Sequence, residues 1–152
     1  MATAHVMIVE ARYYAHISDE LLKGSLAALE EAGATHEIIQ VPGAFEIPAA
    51  IRFAAEAERL GSEGVRFDGY LALGCVIRGE TTHYDYVCSE SARGLQDLAL
   101  RHSLAIGFGI LTVENEAQAL ARASVAGRNK GGEAARACLA MIALKRRFGL
   151  KP

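Results

Sequence analysis

The sequence predicts an α/β protein, a three-layer α/β/α sandwich in which helices cover both faces of a four-stranded, mainly parallel sheet. Two observations favour this fold class. Short apolar runs of strand length alternate with segments of helical periodicity, and no linker or low-complexity run divides the chain. Alternating strands and helices are typical of parallel sheets with crossovers on both faces. With 152 residues, we expect residues 1–152 to form one domain.

The first half of the chain contains two strand and helix pairs. The apolar run His5 to Val9 predicts the first strand, and Ser18 predicts the start of a helix that ends at Gly33. The run Glu37 to Val41 predicts the second strand. A break then leads to a second helix, which tolerates Pro48 because the first turn of a helix needs no N–H from that residue.

The second half continues the alternation. Tyr70 to Leu73 predicts the third strand, and apolar residues at helical spacing predict a helix from Tyr84 to Leu98. Ser103 to Leu111 predicts the fourth strand, followed by helices over Asn115 to Ala123 and Lys130 to Phe148. The complete order of elements predicts a flavodoxin-like architecture.

Composition excludes several classes of function. Sixteen basic and eighteen acidic residues give a net charge of −2, which argues against binding to nucleic acid or to an anionic membrane. No apolar run approaches the roughly 20 residues needed to span a bilayer. The amino-terminal residues resemble no targeting segment, and the odd number of cysteines, Cys75, Cys88 and Cys138, has no metal-type spacing. We expect a cytoplasmic protein without a metal, with cysteines that serve as small core residues.

The stretch Leu73 to Tyr86 contains most of the candidate chemistry. It connects a strand to a helix, and ligands of open α/β sheets bind at the carboxyl ends of strands. Arg78, Thr81 and His83 lie in this turn, and the amides of the following helix start favour an anion. The imidazole of His83 suits proton transfer near neutral pH, although a lone histidine is more often structural.

Other turns are expected at the same edge of the sheet. Tyr13 is equally consistent with a hydrophobic staple and with stacking on a flat ligand. Phe45 and Glu46 follow the second strand, where the carboxylate suits the hydroxyls of a polyol or the dipole of the next helix. The segment Thr112 to Asn115 follows the fourth strand. Arg122 on its own predicts a solvated charge on a short helix.

Two glycine-containing segments do not match nucleotide-binding motifs. Asn129 to Gly132 lacks the spacing of a phosphate-binding loop. Gly107 to Gly109 lies within a predicted strand and opens no helix, so it fails the dinucleotide fingerprint. The sequence therefore gives no support to ATP-dependent or nicotinamide chemistry.

Three blocks of the sequence resemble the lumazine synthase family. They are Val41 to Pro48, Leu73 to Val87, and Gly109 to Asn115 with Asn129 to Gly131. The resemblance implies a transferase that condenses 5-amino-6-ribitylamino-2,4-pyrimidinedione with 3,4-dihydroxy-2-butanone 4-phosphate. The product is 6,7-dimethyl-8-ribityllumazine, and phosphate and water are released in this penultimate step of riboflavin biosynthesis. The family needs no metal and no organic cofactor.

The resemblance also assigns residues to the pyrimidine substrate. Tyr13 takes the position of the aromatic residue that stacks on the pyrimidine ring, where many members have phenylalanine or tryptophan. Glu46 is expected to accept hydrogen bonds from the ribityl hydroxyls. Backbone and side-chain contacts to the ribityl chain and heterocycle are implied for Ala44, Phe45, Val76 and Ile77.

The phosphate end of the site is assigned in the same way. His83 is implied to move protons, and Glu80 with Thr81 to line the phosphate. Because a carboxylate repels an anion, we predict that the side chain of Glu80 points away and leaves its N–H for the phosphate. A neighbouring subunit is implied to contribute Phe108, Lys130 and Arg122, the last pairing with the phosphate.

The resemblance implies a homo-oligomer with active sites shared between subunits. Family members form pentamers, and some close into icosahedral shells; we favour free pentamers or pairs of them for this sequence. Two other functions remain open: a non-catalytic flavin- or lumazine-binding protein, and a flavodoxin-like signalling domain. The presence of His83 together with Arg122 favours catalysis; one sequence does not distinguish a main enzyme from a second, weaker isoenzyme.

Overall fold

The computed structural model describes residues 3–64 and 66–150. The strands are β1 His5–Ala11, β2 Thr35–Val41, β3 Gly69–Ile77 and β4 Ile106–Val113. The α-helices are α1 Ala15–Glu31, α2 Ile47–Arg59, α3 His83–His102, α4 Glu116–Ala123 and α5 Lys130–Arg147. One turn of 3-10 helix, Ala44–Glu46, precedes α2. Within these residues, no helix has the length and apolar character needed to cross a membrane.

The four strands form one sheet in the order β2-β1-β3-β4, and every neighbouring pair is parallel. In the registered pairs, Val9 lies between Ile39 of β2 and Ala72 of β3. The chain therefore turns to one side of β1 to form β2, and to the other side to form β3 and β4. The predicted three-layer α/β/α sandwich is confirmed.

Apolar side chains fill both faces of the sheet. On one face, Val9 and Ala72 pack with residues of α2 and α3, among them Ile51 and Leu95. On the other face, residues of β1 and β3 pack against α1 and α5, and a third cluster joins the start of α1 to α4. The helices that follow β1 and β4 thus cover one face, and those that follow β2 and β3 cover the other.

The predicted end of the first strand and the predicted start of the first helix are wrong by two or three residues. The prediction ended the strand at Val9, whereas β1 continues to Ala11. Helix α1 begins at Ala15, and Ser18 lies inside it, buried, with its N–H bonded to the carbonyl of Tyr14. The helix begins early because Ile17 is fully buried against α4, and that contact needs helical geometry before Ser18.

The bounds of β3 and β4 also differ from the prediction. β3 does not end at Leu73 but runs to Ile77, because Gly74 to Ile77 pairs with the second half of β4. β4 begins at Ile106, three residues after the predicted start. Ser103 instead follows α3 in the left-handed conformation, with φ of 53°, and so ends the helix.

Helices α1 and α5 approach each other closely at Gly131. The hydroxyl of Ser25 donates a hydrogen bond to the carbonyl of Gly131 at 2.9 Å. A Cβ at Gly131 would lie 2.1 Å from the carbonyl oxygen of Leu21, so only glycine fits. Asn129 caps α5 here, since its side chain accepts a hydrogen bond from the N–H of Gly132 at 3.2 Å.

We expect Gly131→Ala to lower the free energy of unfolding by about 3 kcal/mol, because a methyl group there must displace backbone in a packed core. Urea unfolding at fixed protein concentration measures the effect. Gly64→Ala is the matched control: a Cβ at Gly64 meets nothing within 4 Å, and a change of at most about 0.5 kcal/mol is expected. Equal midpoints for both variants would contradict the close approach.

Candidate active site

A cleft of about 540 Å³ opens at the carboxyl ends of β1 and β3. This is the point where the strand order reverses, and the loops on either side separate to leave a crevice. Four segments line it: Tyr13 and Tyr14 after β1, Pro42 to Glu46 after β2, Cys75 to Ile77 on β3, and Gly79 with Thr81, His83 and Tyr84 near the start of α3. The structure thus brings together eight of the twelve predicted site residues.

The turn after β1 presents an aromatic ring to solvent. Tyr13 is 77% exposed and contacts Tyr14 edge to face, with ring centroids 4.9 Å apart. Tyr14 is the residue that packs against the core cluster, so the staple role does not fall to Tyr13. The face of Tyr13 is available for stacking on a flat ligand.

An arginine anchors this turn from beneath. Nη1 of Arg12 donates to Oε1 of Glu10 at 2.9 Å, and Nη2 pairs with Asp19 on α1. Glu10 is only 2% exposed, and Gln40 of β2 donates to its other oxygen at 3.2 Å. A buried carboxylate with both oxygens bonded is stable only with its partners in place, so the pair fixes the base of the turn that carries Tyr13.

The loop after β2 supplies a second aromatic side chain and a carboxylate. Phe45 is 57% exposed, whereas the preceding Ala44 is buried. Glu46 is exposed, and its N–H bonds to the carbonyl of Gly43 at 3.1 Å. Its carboxylate lies over Gly43, so close that a Cβ there would be 3.3 Å from Oε2. The loop therefore directs a hydrogen-bond acceptor into the cleft.

The end of β3 forms the floor of the cleft. Val76 and Ile77 are half-buried and pair with Thr112 and Val113 of β4. Cys75 is buried, and burial raises the pKa of its thiol to about 11. The thiolate is the nucleophilic form of cysteine, so this residue serves packing rather than catalysis, in agreement with the interpretation of the sequence.

The turn before α3 brings an imidazole to a helix N-terminus. His83 is the first residue of α3 and is exposed, and its N–H lies 3.3 Å from the hydroxyl of Thr81. The first amides of a helix lack intrahelical acceptors and favour an anion. Glu80 in this turn is exposed and is not among the lining residues. The cleft thus places a group able to transfer protons beside a position suited to an anion.

Four predicted site residues do not line this cleft: Glu80, Phe108, Arg122 and Lys130. Phe108 is 50% exposed on the edge strand β4. Arg122 lies on α4 and donates to the carbonyl of Gln118 at 3.1 Å. The ammonium of Lys130, at the start of α5, lies 2.9 Å from Glu133. Helices α4 and α5 belong to the layer opposite α3, so one chain does not bring these cations to the cleft.

Sequence reasoning missed Tyr84, which lines the cleft. Its spacing of three and four from Val87 and Cys88 indicated the apolar face of a helix. Tyr84 is in fact half-buried, and the guanidinium of Arg78 lies 4.3 Å from the centroid of its ring. The signal available was its position directly after His83, since a residue in the first turn of a helix can face both core and ligand.

A larger groove, of about 1000 Å³, lies at the opposite edge of the sheet. Its charged side chains are largely paired: Arg52 and Arg59 with Glu56, and Arg66 with Glu58. It lacks a histidine beside a helix N-terminus and carries no predicted site residue. The smaller cleft is therefore the candidate site. In residues 3–64 and 66–150, no cluster of histidine, cysteine or acidic side chains is arranged to hold a metal ion.

The cleft combines an exposed aromatic face, a carboxylate, the start of a helix and an imidazole. Among the described residues that line it, none is lysine or arginine. These groups suit a flat, polar ligand that carries hydroxyls, together with proton transfer at a neighbouring centre.

A family model and several curated relatives match nearly the whole chain, and all have the same description. The family model described as 6,7-dimethyl-8-ribityllumazine synthase matches residues 3–146. The chain is 58% identical over 147 residues to the protein of that name from Sphingopyxis alaskensis, covering 97% of this chain and 99% of that protein. It is 52% identical to the one from Paramagnetospirillum magneticum, covering 97% and 98%, and 55% identical to the one from Agrobacterium fabrum, covering 98% and 99%.

We expect iodoacetamide to alkylate Cys75 slowly in the folded protein near pH 7.5, because only the thiolate reacts. The rate should rise as the pH approaches 11, since burial raises the pKa of this thiol to about 11. Mass spectrometry of the Cys75 peptide measures the rate, with the same reaction in urea as the control. Equal rates with and without urea would contradict the burial of this residue.

Proposed function

Because the chain belongs to the 6,7-dimethyl-8-ribityllumazine synthase family, it is an enzyme of riboflavin biosynthesis, and we propose that its reaction takes place in the cleft at β1 and β3. The reaction condenses 5-amino-6-ribitylamino-2,4-pyrimidinedione with 3,4-dihydroxy-2-butanone 4-phosphate and releases phosphate and water. One observation carries the assignment to this cleft: Tyr13, Glu46 and His83, from three separate segments, line the same cavity.

The pyrimidine substrate is assigned to the side of the cleft formed by the first two loops. Tyr13 stacks on its ring, which the exposure of the tyrosine face supports. Glu46 accepts hydrogen bonds from the ribityl hydroxyls, beside Ala44 and Phe45. The end of β3, at Val76 and Ile77, approaches the heterocycle.

The butanone phosphate is assigned to the turn before α3. The amides of Glu80 and Thr81 and the positive end of the helix dipole stabilise its phosphate. The carboxylate of Glu80 stays outside the cleft, which its exposure and its absence from the lining support. Among the described residues that line the cleft, none is lysine or arginine, so we expect the amides to balance only part of the charge of the anion.

His83 is the residue we assign to proton transfer. The amino group of the pyrimidine attacks the ketone carbon, and the imidazole moves the protons that let water leave as the imine forms. The same group serves the elimination of phosphate. Holding the two reactants together supplies most of the rate gain, and proton transfer adds a factor of about 10² to 10⁴.

A second copy of the chain completes the site in this proposal. Phe108, Arg122 and Lys130 reach the cleft of a neighbouring subunit, and Arg122 pairs with the phosphate. The position of Arg122 and Lys130 in the other helical layer supports a role across an interface. A homopentamer, free or paired, is the assembly we propose. Exposed apolar side chains support an assembly of this kind: Phe53, Leu60, Tyr86, Phe108 and Leu100.

The alternative of a non-catalytic flavin- or lumazine-binding protein finds no support. The relatives that match over nearly the whole chain are synthases by name, and a carrier has no use for an imidazole at the helix start.

We further propose that residues 1–152 act as one domain in the cytoplasm. The free state of the three cysteines suits a reducing compartment.

We expect the purified protein to form the fluorescent lumazine from the two substrates well above the uncatalysed background. His83→Ala should lower kcat by about 10²-fold while leaving the affinity for a pyrimidine analogue within about threefold, because it removes proton transfer and not binding. Stopped-flow fluorescence and calorimetric titration measure the two quantities. Background rates in the unaltered protein, with tight lumazine binding, would contradict the proposed function.

We expect Arg122→Gln to raise KM for the butanone phosphate by about tenfold or more, because a hydrogen bond between charged groups is lost. KM for the pyrimidine should change less than about twofold. Arg101→Gln, in the last turn of α3 at the far edge of the sheet, is the matched control. An equal loss for both substrates, or a smaller assembly by analytical ultracentrifugation, would assign Arg122 to the interface instead.

A further inference from the structure

Arg78, in the turn between β3 and α3, has its guanidinium engaged by three protein groups. Nε donates to Oε2 of Glu114 at 2.7 Å, and Nη1 lies 3.4 Å from Oδ1 of Asp85. The central carbon lies 4.3 Å from the centroid of the Tyr84 ring. Its backbone N–H also bonds to the carbonyl of Val113 at 2.9 Å. The charge, the planar face and the backbone N–H of this arginine therefore all have partners within the chain.

The partners of Arg78 lie on both sides of the catalytic turn. Tyr84 and Asp85 follow His83 directly in the first turn of α3, and the N–H of Asp85 bonds to the carbonyl of Thr82 at 3.0 Å. Glu114 lies just beyond β4, where its N–H bonds to the side chain of Gln118 at 2.8 Å. Arg78 therefore connects the helix start that carries His83 to the end of the neighbouring strand.

Two carboxylates face the guanidinium, so its charge is already balanced by the protein. Arginine in a strand-to-helix turn beside an anion site is expected to bind the anion. Here its hydrogen-bonding edge points to Glu114 and Asp85, and it does not line the cleft. The ring of Tyr84, over which the guanidinium lies, does line the cleft.

We propose that Arg78 is a positioning residue, which holds the first turn of α3 so that His83 and the amides of the preceding turn keep the geometry that the reaction needs. The inference rests on the proposed function of the cleft. Only arginine offers a planar cation that stacks on a ring while its edge donates to two carboxylates. Exposed ion pairs contribute little to global stability, so the loss of Arg78 acts on turnover more than on folding.

The test is a comparison of Arg78→Gln with the unaltered protein in the lumazine-forming assay. We expect kcat to fall about tenfold, with KM for each substrate within about threefold, because small misplacement of a catalytic group slows the chemical step and not binding. Arg78→Lys keeps the charge but not the stacked, forked geometry, and should recover only part of kcat. Circular dichroism and the thermal midpoint monitor the fold.

Arg93→Gln is the matched control. Arg93 is also exposed on α3 and paired with two carboxylates, Glu90 at 2.6 Å and Asp97 at 2.9 Å, but it lies two turns beyond the cleft. Its kcat should stay within about twofold of the unaltered value. A drop equal to that of Arg78→Gln would overturn the proposal, because any exposed ion pair on the helix would then have the same effect.

Glu114→Gln provides a second, independent test. It keeps Arg78 but weakens the 2.7 Å contact between Arg78 and residue 114. It should lower kcat with KM unchanged, and the double variant should lose no more than about threefold beyond Arg78→Gln alone, because both changes break one unit. If Arg78→Gln does not fold, Glu114→Gln decides: an unchanged kcat overturns the proposal.

The remaining outcomes are also decisive. A raised KM for the butanone phosphate with unchanged kcat in Arg78→Gln would make Arg78 a substrate ligand and overturn the positioning role. Wild-type values in both Arg78→Gln and Glu114→Gln would overturn it as well. Failure of the proposed function is distinguished from these results, because the unaltered protein itself would then form no lumazine above background.

Discussion

The parallel pairing of β1 with β3 is the constraint on which the rest of this structure depends. β1 has β2 on one side and β3 on the other, and the helices that follow β1 and β3 cover opposite faces of the sheet. The chain must therefore leave these two neighbouring strands in opposite directions. A crevice between their ends is a geometric consequence of the topology. The topology alone produces the cleft, and the residues of the adjoining loops decide what it can bind.

The same arrangement of ion pairs occurs at two of the turns beside the cleft. On one side, Arg12 joins Glu10 and Asp19 beneath the turn of Tyr13. On the other, Arg78 joins Asp85 and Glu114 around the helix start of His83. In each case one arginine pairs with two carboxylates at a turn that contributes residues to the cleft. These ion pairs connect each turn to a neighbouring strand or helix.

The alternation of apolar runs and helical periodicity predicted the fold, but local signals misled at element ends. Ser18 has the residue type of a helix cap, but burial of Ile17 against α4 makes the helix begin before Ser18. The local sequence does not show this contact. That Tyr13, Glu46 and His83 line one cleft was predictable, because parallel strands bring their carboxyl ends to one edge of the sheet. The bonding of Arg78 was not, because its partner Glu114 is 36 positions away. Nor does one chain's spacing reveal where Arg122 acts.

The distribution of positive charge bears on the proposed second copy. A phosphate bound at the start of α3 meets amides but no lysine or arginine among the described lining residues. The two arginines nearest in sequence to Tyr13 and His83, Arg12 and Arg78, are already paired with carboxylates. Expulsion of a phosphate as leaving group needs stabilisation of developing negative charge, and helix amides alone provide only a part of a unit charge. The proposed site therefore needs a cation from outside the chain, which is the role assigned to Arg122 of a neighbouring copy.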